Sequence, residues 1–130
     1  LTPHPGEAGR LLKLENSKIQ SDRFLSAKKL YDKTSSIVVL KGAGTIIYSG
    51  NKGYVNTSGN PYMATGGSGD VLSGIIAGFI AQGYSLLESS KLGVYLHGAA
   101  GDYAVNIRNG GPIIASDIAE ALPFVMGSDE

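Results

Sequence analysis

Apolar residues recur at helical spacing in several stretches of the chain and run together in others. Over 22–33, Phe24, Ala27, Leu30 and Tyr31 fall at i, i+3, i+6 and i+7, while Lys28, Lys29 and Asp32 lie largely off that face. This spacing predicts an amphipathic helix, capped by Ser21 or Asp22. Val71, Leu72, Ile75, Ile76, Phe79 and Ile80 predict a helix over 70–82 that ends at Gly83. Gly74 and Gly78 sit four apart on a neighbouring strip, where another helix or a strand could pack close. A long helix follows over 86–107, with Leu92, Tyr95, Leu96, Ala99, Ala100, Tyr103 and Ala104 as its apolar stripe. Asn109-Gly110-Gly111-Pro112 breaks it, and Ser116 or Asp117 caps a final helix ending near Val125. Residues 7–14 suit a short helix behind a rigid Thr2–Gly6 loop.

The pattern changes between these helices. Residues 36–40 form a short continuous apolar run with β-branched Ile37, Val38 and Val39, as buried parallel strands do. Residues 45–49 and 54–57 read as two more strands, joined by the turn residues Gly50-Asn51-Lys52-Gly53 into a hairpin. Strands mixed with helices mean an α/β arrangement. The run at 36–40 cannot make a sheet alone, so partner strands are expected upstream of Leu1. The chain opens on Leu1-Thr2-Pro3-His4-Pro5, without an initiator methionine and in the manner of a strand exit, which suggests a piece of a longer protein.

The 130 residues match the size of one domain. Hydrophobic residues at 42% and charged residues at 17% indicate a globular chain rather than a disordered one. Eleven basic and eleven acidic residues cancel, which leaves no electrostatic footprint for nucleic acid or an anionic membrane. The apolar stretch 71–81 is about half the length of a bilayer span. There is no cysteine, hence no disulfide framework, thiolate metal site or cysteine nucleophile. Glycine, at 19 residues, is roughly twice as common as average, and it clusters between apolar segments, where tight turns and close backbone approach require it.

Three clusters can carry chemistry. In Thr65-Gly66-Gly67-Ser68-Gly69-Asp70, residues without a Cβ let backbone N–H groups turn toward one point, and the following helix adds its positive end. Gly66, Gly67, Ser68 and Gly69 would form an anion hole suited to phosphate. Asp70 at its mouth is poorly suited to binding phosphate but well placed to take a proton from an attacking hydroxyl; alternatively it only caps the helix. Neither the Walker A nor the Rossmann glycine pattern is present. Lys41-Gly42-Ala43-Gly44-Thr45 follows the carboxyl end of a strand, where open α/β sheets bind ligands, or is a solvent-facing lysine beside a turn. His4 and Glu7, in a loop stiffened by two prolines, face a cleft or are simply exposed. His97, beside an apolar stripe, reads as a partly buried, satisfied histidine, and no spacing indicates a protein-built metal site.

Taken in order, Thr2–Glu7, Leu40–Thr45 and Gly59–Gly74 resemble the NAD(P)H-hydrate dehydratase family, and Tyr95–Asp102 is similar to that family's next helix. The likeness runs over nearly the whole chain. It implies a ribokinase-like three-layer α/β fold, with residues 1–130 as the C-terminal part of a single domain: a partial sheet, a β-hairpin and packed helices. The missing N-terminal half would supply sheet strands and part of the substrate pocket, so residues 1–130 alone are expected to be inactive. The implied activity repairs hydrated NADH and NADPH (NADHX, NADPHX): a nucleotide phosphorylates the ring hydroxyl, and phosphate is then eliminated, a carbon–oxygen lyase reaction.

The resemblance also implies roles for single residues. His4 and Asp70 would contact the hydrate, with Asp70 as the base. Lys41, Gly42, Ala43, Gly44 and Thr45 would line the adenine nucleotide site, and Gly69 would sit at the phosphate. The nucleotide would be ADP or ATP with Mg2+; Thr45 favours ADP, since the ATP-using eukaryotic pattern tends to be acidic there. Tyr62 stands where a glycine is common, which bears on loop conformation and pocket width. A cytoplasmic homo-oligomer, a tetramer in the family, is implied, with no nucleic-acid or membrane partner. Two other readings remain: a ribokinase-like small-alcohol kinase that stops at the phosphorylated product, or a nucleotide-binding chain without catalysis.

Overall fold

The computed structural model describes residues 1–127. The chain divides into two compact units, one comprising Leu1–Asn56 and the other beginning at Thr57.

The first unit begins with α1 (Pro5–Leu12), which starts and ends two residues earlier than the expected 7–14. His4 caps it and Pro5 occupies its first turn, where a missing N–H costs nothing. A six-residue helix, α2 (Asn16–Ser21), buries only Ile19, too little to leave a periodic signal. The predicted helix over 22–33 is α3 (Arg23–Thr34), and Asp22 rather than Ser21 caps it, its Oδ1 accepting from the Leu25 N–H at 2.9 Å. Ala27 and Leu30 are buried as expected, whereas Phe24 is exposed and packs edge-on to Tyr48 at 5.6 Å.

The strands are β1 (Val38–Leu40), β2 (Ile46–Tyr48) and β3 (Gly53–Val55), in sheet order β1-β2-β3. The predicted hairpin is present: β2 and β3 pair antiparallel, Ile47 opposite Tyr54. β1 differs from expectation, because its strand partner is β2, antiparallel, with Val39 opposite Ile47. The parallel pairing lies on its other edge. Leu1 donates to the Ile37 carbonyl (2.8 Å), Val39 donates to the Leu1 carbonyl (2.7 Å) and Lys41 donates to the Pro3 carbonyl (2.9 Å), the rungs of a parallel ladder. The rung that Pro3 would donate is missing because proline has no N–H. The core of this unit gathers Ala8, Ile19, Ala27, Leu30, Val38, Leu40, Ile46 and Tyr48. Each large aliphatic among them contributes about 1.5–3 kcal/mol relative to exposure.

The second unit is helical. A 3-10 turn (Pro61–Met63) precedes α4 (Ser68–Ala81), α5 (Leu86–Ile107) and α6 (Ala115–Val125). α5 matches its predicted span, and Ser85 and Glu88 close a reciprocal cap at its start. It packs against both α4 and α6, which widens its buried band to include Gly93, Val94, Gly98 and Gly101 and leaves Tyr95 exposed. The close approach expected at Gly74 and Gly78 occurs instead on α5: a Cβ at Gly93 would lie 2.6 Å from Ile76, while one at Gly74 or Gly78 would meet nothing within 4 Å among the described residues. α6 begins at Ala115, ahead of both predicted caps. Asp117 is its third residue, and its Oδ2 accepts from the Ile114 N–H at 2.8 Å. The early start follows the burial of Ile113, which joins Ala100, Ala104, Ile118 and Ala121 in this unit's core.

Candidate functional site

In the first unit the Lys41–Pro3 rung draws two of the predicted segments together. β1 ends at Leu40, so the turn 41–45 leaves the sheet beside the residues leading into His4. His4 is engaged locally. Its Nδ1 accepts from the Glu7 N–H (3.2 Å), Glu7 Oε2 accepts from the His4 N–H (2.9 Å), and His4 Nε2 lies 3.4 Å from Glu7 Oε1. An accepting Nδ1 leaves the neutral ring's proton on Nε2, facing the carboxylate. The bond from the His4 N–H holds the Glu7 carboxyl below the usual carboxylate range, against the opposing effect of burial and with the Lys41 and Arg10 cations adding to it. The imidazole is thus oriented, yet half of its surface remains exposed.

Arg23 shapes the turn 41–45, a role that periodicity alone did not reveal. Its Nη1 donates to the Ala43 carbonyl at 2.6 Å and its Nη2 to the Leu40 carbonyl at 3.2 Å, so one guanidinium bridges both shoulders of the turn. Burial pushes the guanidinium below its ordinary value, and its Nε is buried without a hydrogen-bond partner among the described residues. Thr45 closes the turn, its hydroxyl donating to the Gly42 carbonyl at 3.1 Å. Lys41 is half-buried, and Gly42, Ala43 and Gly44 are exposed.

In the second unit the glycine loop forms the N-terminus of α4. Gly67 is the cap residue, with φ +86°, a conformation glycine adopts without strain. Ser68, Gly69 and Asp70 are the first three helical residues. The Ser68 N–H donates to the Thr65 carbonyl at 3.2 Å, and the Val71 N–H to the Gly67 carbonyl at 3.1 Å. Among the described residues the N–H groups of Gly66, Gly67, Gly69 and Asp70 have no protein acceptor, which leaves them open to an anion. The Ser68 side chain is buried, and its hydroxyl lies 3.2 Å from His97 Nε2, which is also 3.0 Å from the Ser68 carbonyl. His97 is therefore the satisfied, partly buried histidine the sequence indicates, and it anchors the start of α4.

Asp70 does not cap α4. The cap position belongs to Gly67, no side-chain capping bond is made there, and the Asp70 carboxylate is exposed in the first turn. It makes no hydrogen bond or ion pair among the described residues. A free carboxylate beside open N–H donors can accept a proton from a nucleophile while the backbone holds a phosphoryl group. No three His, Cys, Asp or Glu side chains converge among the described residues as a metal cage would require. No helix there is long and apolar enough to cross a membrane.

A family model described as NAD(P)H-hydrate dehydratase matches residues 1–123. The bifunctional NAD(P)H-hydrate repair enzyme of Moorella thermoacetica is 48% identical over 127 residues, 97% of this chain and 24% of that protein. The ADP-dependent (S)-NAD(P)H-hydrate dehydratase of Neisseria meningitidis serogroup B is 44% identical, covering 96% of this chain and 43% of that one. The crystal structure of the ADP/ATP-dependent NAD(P)H-hydrate dehydratase of Bacillus subtilis, co-crystallised with ATP and Mg2+, superposes with a TM-score of 0.90 at 31% identity. It is covered over 46% of its length, against 97% of this chain. A ribokinase-like superfamily protein from Enterococcus faecalis superposes at 0.82 and 38% identity, over 96% of this chain and 42% of that one. The α/β arrangement is thus that of the ribokinase-like dehydratases. The chain spans about a quarter to a half of the length of these relatives.

Proposed function

The chain belongs to the NAD(P)H-hydrate dehydratase family, and from that premise we propose that the protein carrying it uses ADP to restore NADH and NADPH from their hydrates. In this reading residues 1–130 are the C-terminal part of one ribokinase-like domain whose remainder lies outside the chain. Asp70 takes the proton of the ring hydroxyl as that oxygen bonds to the terminal phosphorus of ADP, and AMP leaves with the bridging oxygen. The carbon–oxygen bond to the new phosphate then breaks, and a proton leaves the adjacent ring carbon, which regenerates the dihydronicotinamide. The open N–H groups of Gly66, Gly67, Gly69 and Asp70 hold the phosphoryl oxygens. Lys41 supplies a point charge to the nucleotide, Gly42, Ala43, Gly44 and Thr45 line its adenosine part, and His4 contacts the hydrate.

The Mg2+ ion would be carried on the nucleotide's own phosphates. Bound there, it would neutralise phosphate charge. A homo-oligomer in the cytoplasm completes the proposal.

The observation that carries this reading is the set of unpartnered N–H groups beside a free carboxylate. A crystal structure of the full-length protein with ADP tests it. The expected result is a phosphate oxygen within hydrogen-bond distance of the Gly69 N–H; phosphates bound away from 66–70 would overturn the assignment.

A further inference from the structure

The loop before the 3-10 turn is tied to α5 at successive points. The Ser58 hydroxyl donates to the Tyr95 carbonyl at 2.9 Å. Asp102 Oδ2 accepts from the Gly59 N–H at 2.9 Å, and its Oδ1 accepts from Asn60 Nδ2 at 2.8 Å. The other end of the Asn60 amide is used as well, Oδ1 accepting from the Tyr62 N–H at 3.0 Å to cap the 3-10 turn. From there the bonds continue along the backbone. Met63 donates to the Asn60 carbonyl (3.1 Å), Thr65 to the Met63 carbonyl (2.9 Å) and Ser68 to the Thr65 carbonyl (3.2 Å). An unbroken series thus runs from one carboxylate on α5 to the first residue of α4.

Asp102 is half-buried and has no cationic partner within ion-pair distance among the described residues. Its charge is met by N–H donors alone, and hydrogen bonds to a charged acceptor are about twice as strong as neutral ones. The site also requires two acceptors. An asparagine at position 102 would turn an NH2 group toward either the Gly59 N–H or Asn60 Nδ2, donor against donor. A carboxamide opposite a carboxylate fits only in this orientation or with the two groups exchanged.

We propose that Asp102 is a positioning residue for the phosphate-binding loop, acting through Asn60 and the 3-10 turn to set where Gly66–Asp70 present their N–H groups. The proposal rests on the nucleotide-dependent reading above. Asp102 touches neither nucleotide nor hydrate in this role; it holds the anion hole in a preformed shape, so its loss appears in nucleotide affinity as well as in rate.

The exchanged arrangement supplies the test. Asp102→Asn and Asn60→Asp each break the pairing, the second by setting two carboxylates against each other. In the double variant the amide introduced on α5 donates through its NH2 group to the carboxylate introduced in the loop. The carbonyl oxygen of that amide accepts from the Gly59 N–H, and the loop carboxylate still caps the 3-10 turn. ADP affinity by direct titration, kcat and KM for ADP, and thermal unfolding would be measured on the full-length protein and the three variants. Each single variant is expected to weaken ADP binding and raise its KM about 10-fold, the scale of one lost charge-assisted bond, and the double variant to return both close to the parent values. Unchanged ADP affinity in Asp102→Asn would overturn the inference, as would a double variant no better than the weaker single one. So would losses that track unfolding with KM unchanged, the signature of a purely structural carboxylate. A parent that binds ADP but does not regenerate dihydronicotinamide overturns the reaction proposed above, and the ADP titrations still decide the role of Asp102. A parent that binds no ADP overturns both.

Discussion

Asp70→Asn in the full-length protein is expected to lower turnover of hydrated NADH by roughly 10²- to 10⁴-fold, the contribution of a positioned general base, while ADP affinity stays close to that of the parent. The two expectations come from different atoms. Proton abstraction needs the carboxylate, which is exposed in the first turn of α4 and free of protein partners among the described residues. In the proposed reading phosphate is held by the backbone N–H groups of Gly66, Gly67 and Gly69, which the substitution leaves in place. The helix does not depend on the side chain either, because Gly67 holds the cap position. Removing a negative charge beside the proposed phosphate site favours anion binding. Steady-state kinetics paired with ADP titration checks both halves. Unchanged turnover would remove Asp70 from the chemistry, and a parallel loss of ADP affinity would make it part of the binding site instead.

Gly98→Val is expected to destabilise the protein by about 3 kcal/mol, at the upper end of the usual cost of overpacking, and to disturb the phosphate loop as well. Gly98 lies in the buried band of α5, where a Cβ would sit 2.7 Å from the carbonyl carbon and 2.8 Å from the Cβ of Ser58. The obstacle includes main chain, so a side-chain rotation cannot relieve it. The loop must lift from the helix, which pulls the Ser58 hydroxyl off the Tyr95 carbonyl and strains the neighbouring Gly59–Asp102 bond. Urea unfolding of the full-length protein measures the first effect and ADP titration the second. A variant as stable as the parent would mean that α5 and residues 58–60 are less closely packed than described.

Helices with a full apolar face were legible in the sequence, and the span of α5 most clearly, because side chains at 3.6-residue spacing record that a helix is half buried. The β2–β3 hairpin was legible for a similar reason, since Gly50-Asn51-Lys52-Gly53 permits little but a turn between two apolar runs. Other features depended on partners distant in sequence. The parallel rungs between Leu1–Pro3 and β1 involve main-chain atoms, which leave no trace in residue identity. The packing face of α5 rotated away from Tyr95 because two helices cover it, a fact that its own periodicity does not contain. The starts of α1 and α6 are hard to read because His4 and Ile114 do not look like caps, although the carboxylates of Glu7 and Asp117, each three residues on, accept from the cap N–H.

In the candidate site, the glycine loop and Asp70 stood out from chemistry alone, since small residues before an apolar helix leave first-turn N–H groups open. Arg23 and the Asn60–Asp102 pair did not. Arg23 reads as an ordinary first-turn residue until the Leu40 and Ala43 carbonyls are seen above it. Asp102 could have been noticed as a carboxylate between buried Gly101 and partly buried Tyr103, where an unsatisfied charge would be costly.

The central claim, ADP-dependent restoration of dihydronicotinamide, is tested most directly by incubating the full-length protein with hydrated NADH and ADP near neutral pH and following dihydronicotinamide absorbance. Recovery of that absorbance is predicted only when ADP is present, with AMP and phosphate released in step with it. A phosphorylated hydrate that accumulates without recovery of absorbance would contradict the claim and identify a kinase, and no consumption of ADP or hydrate would contradict it outright.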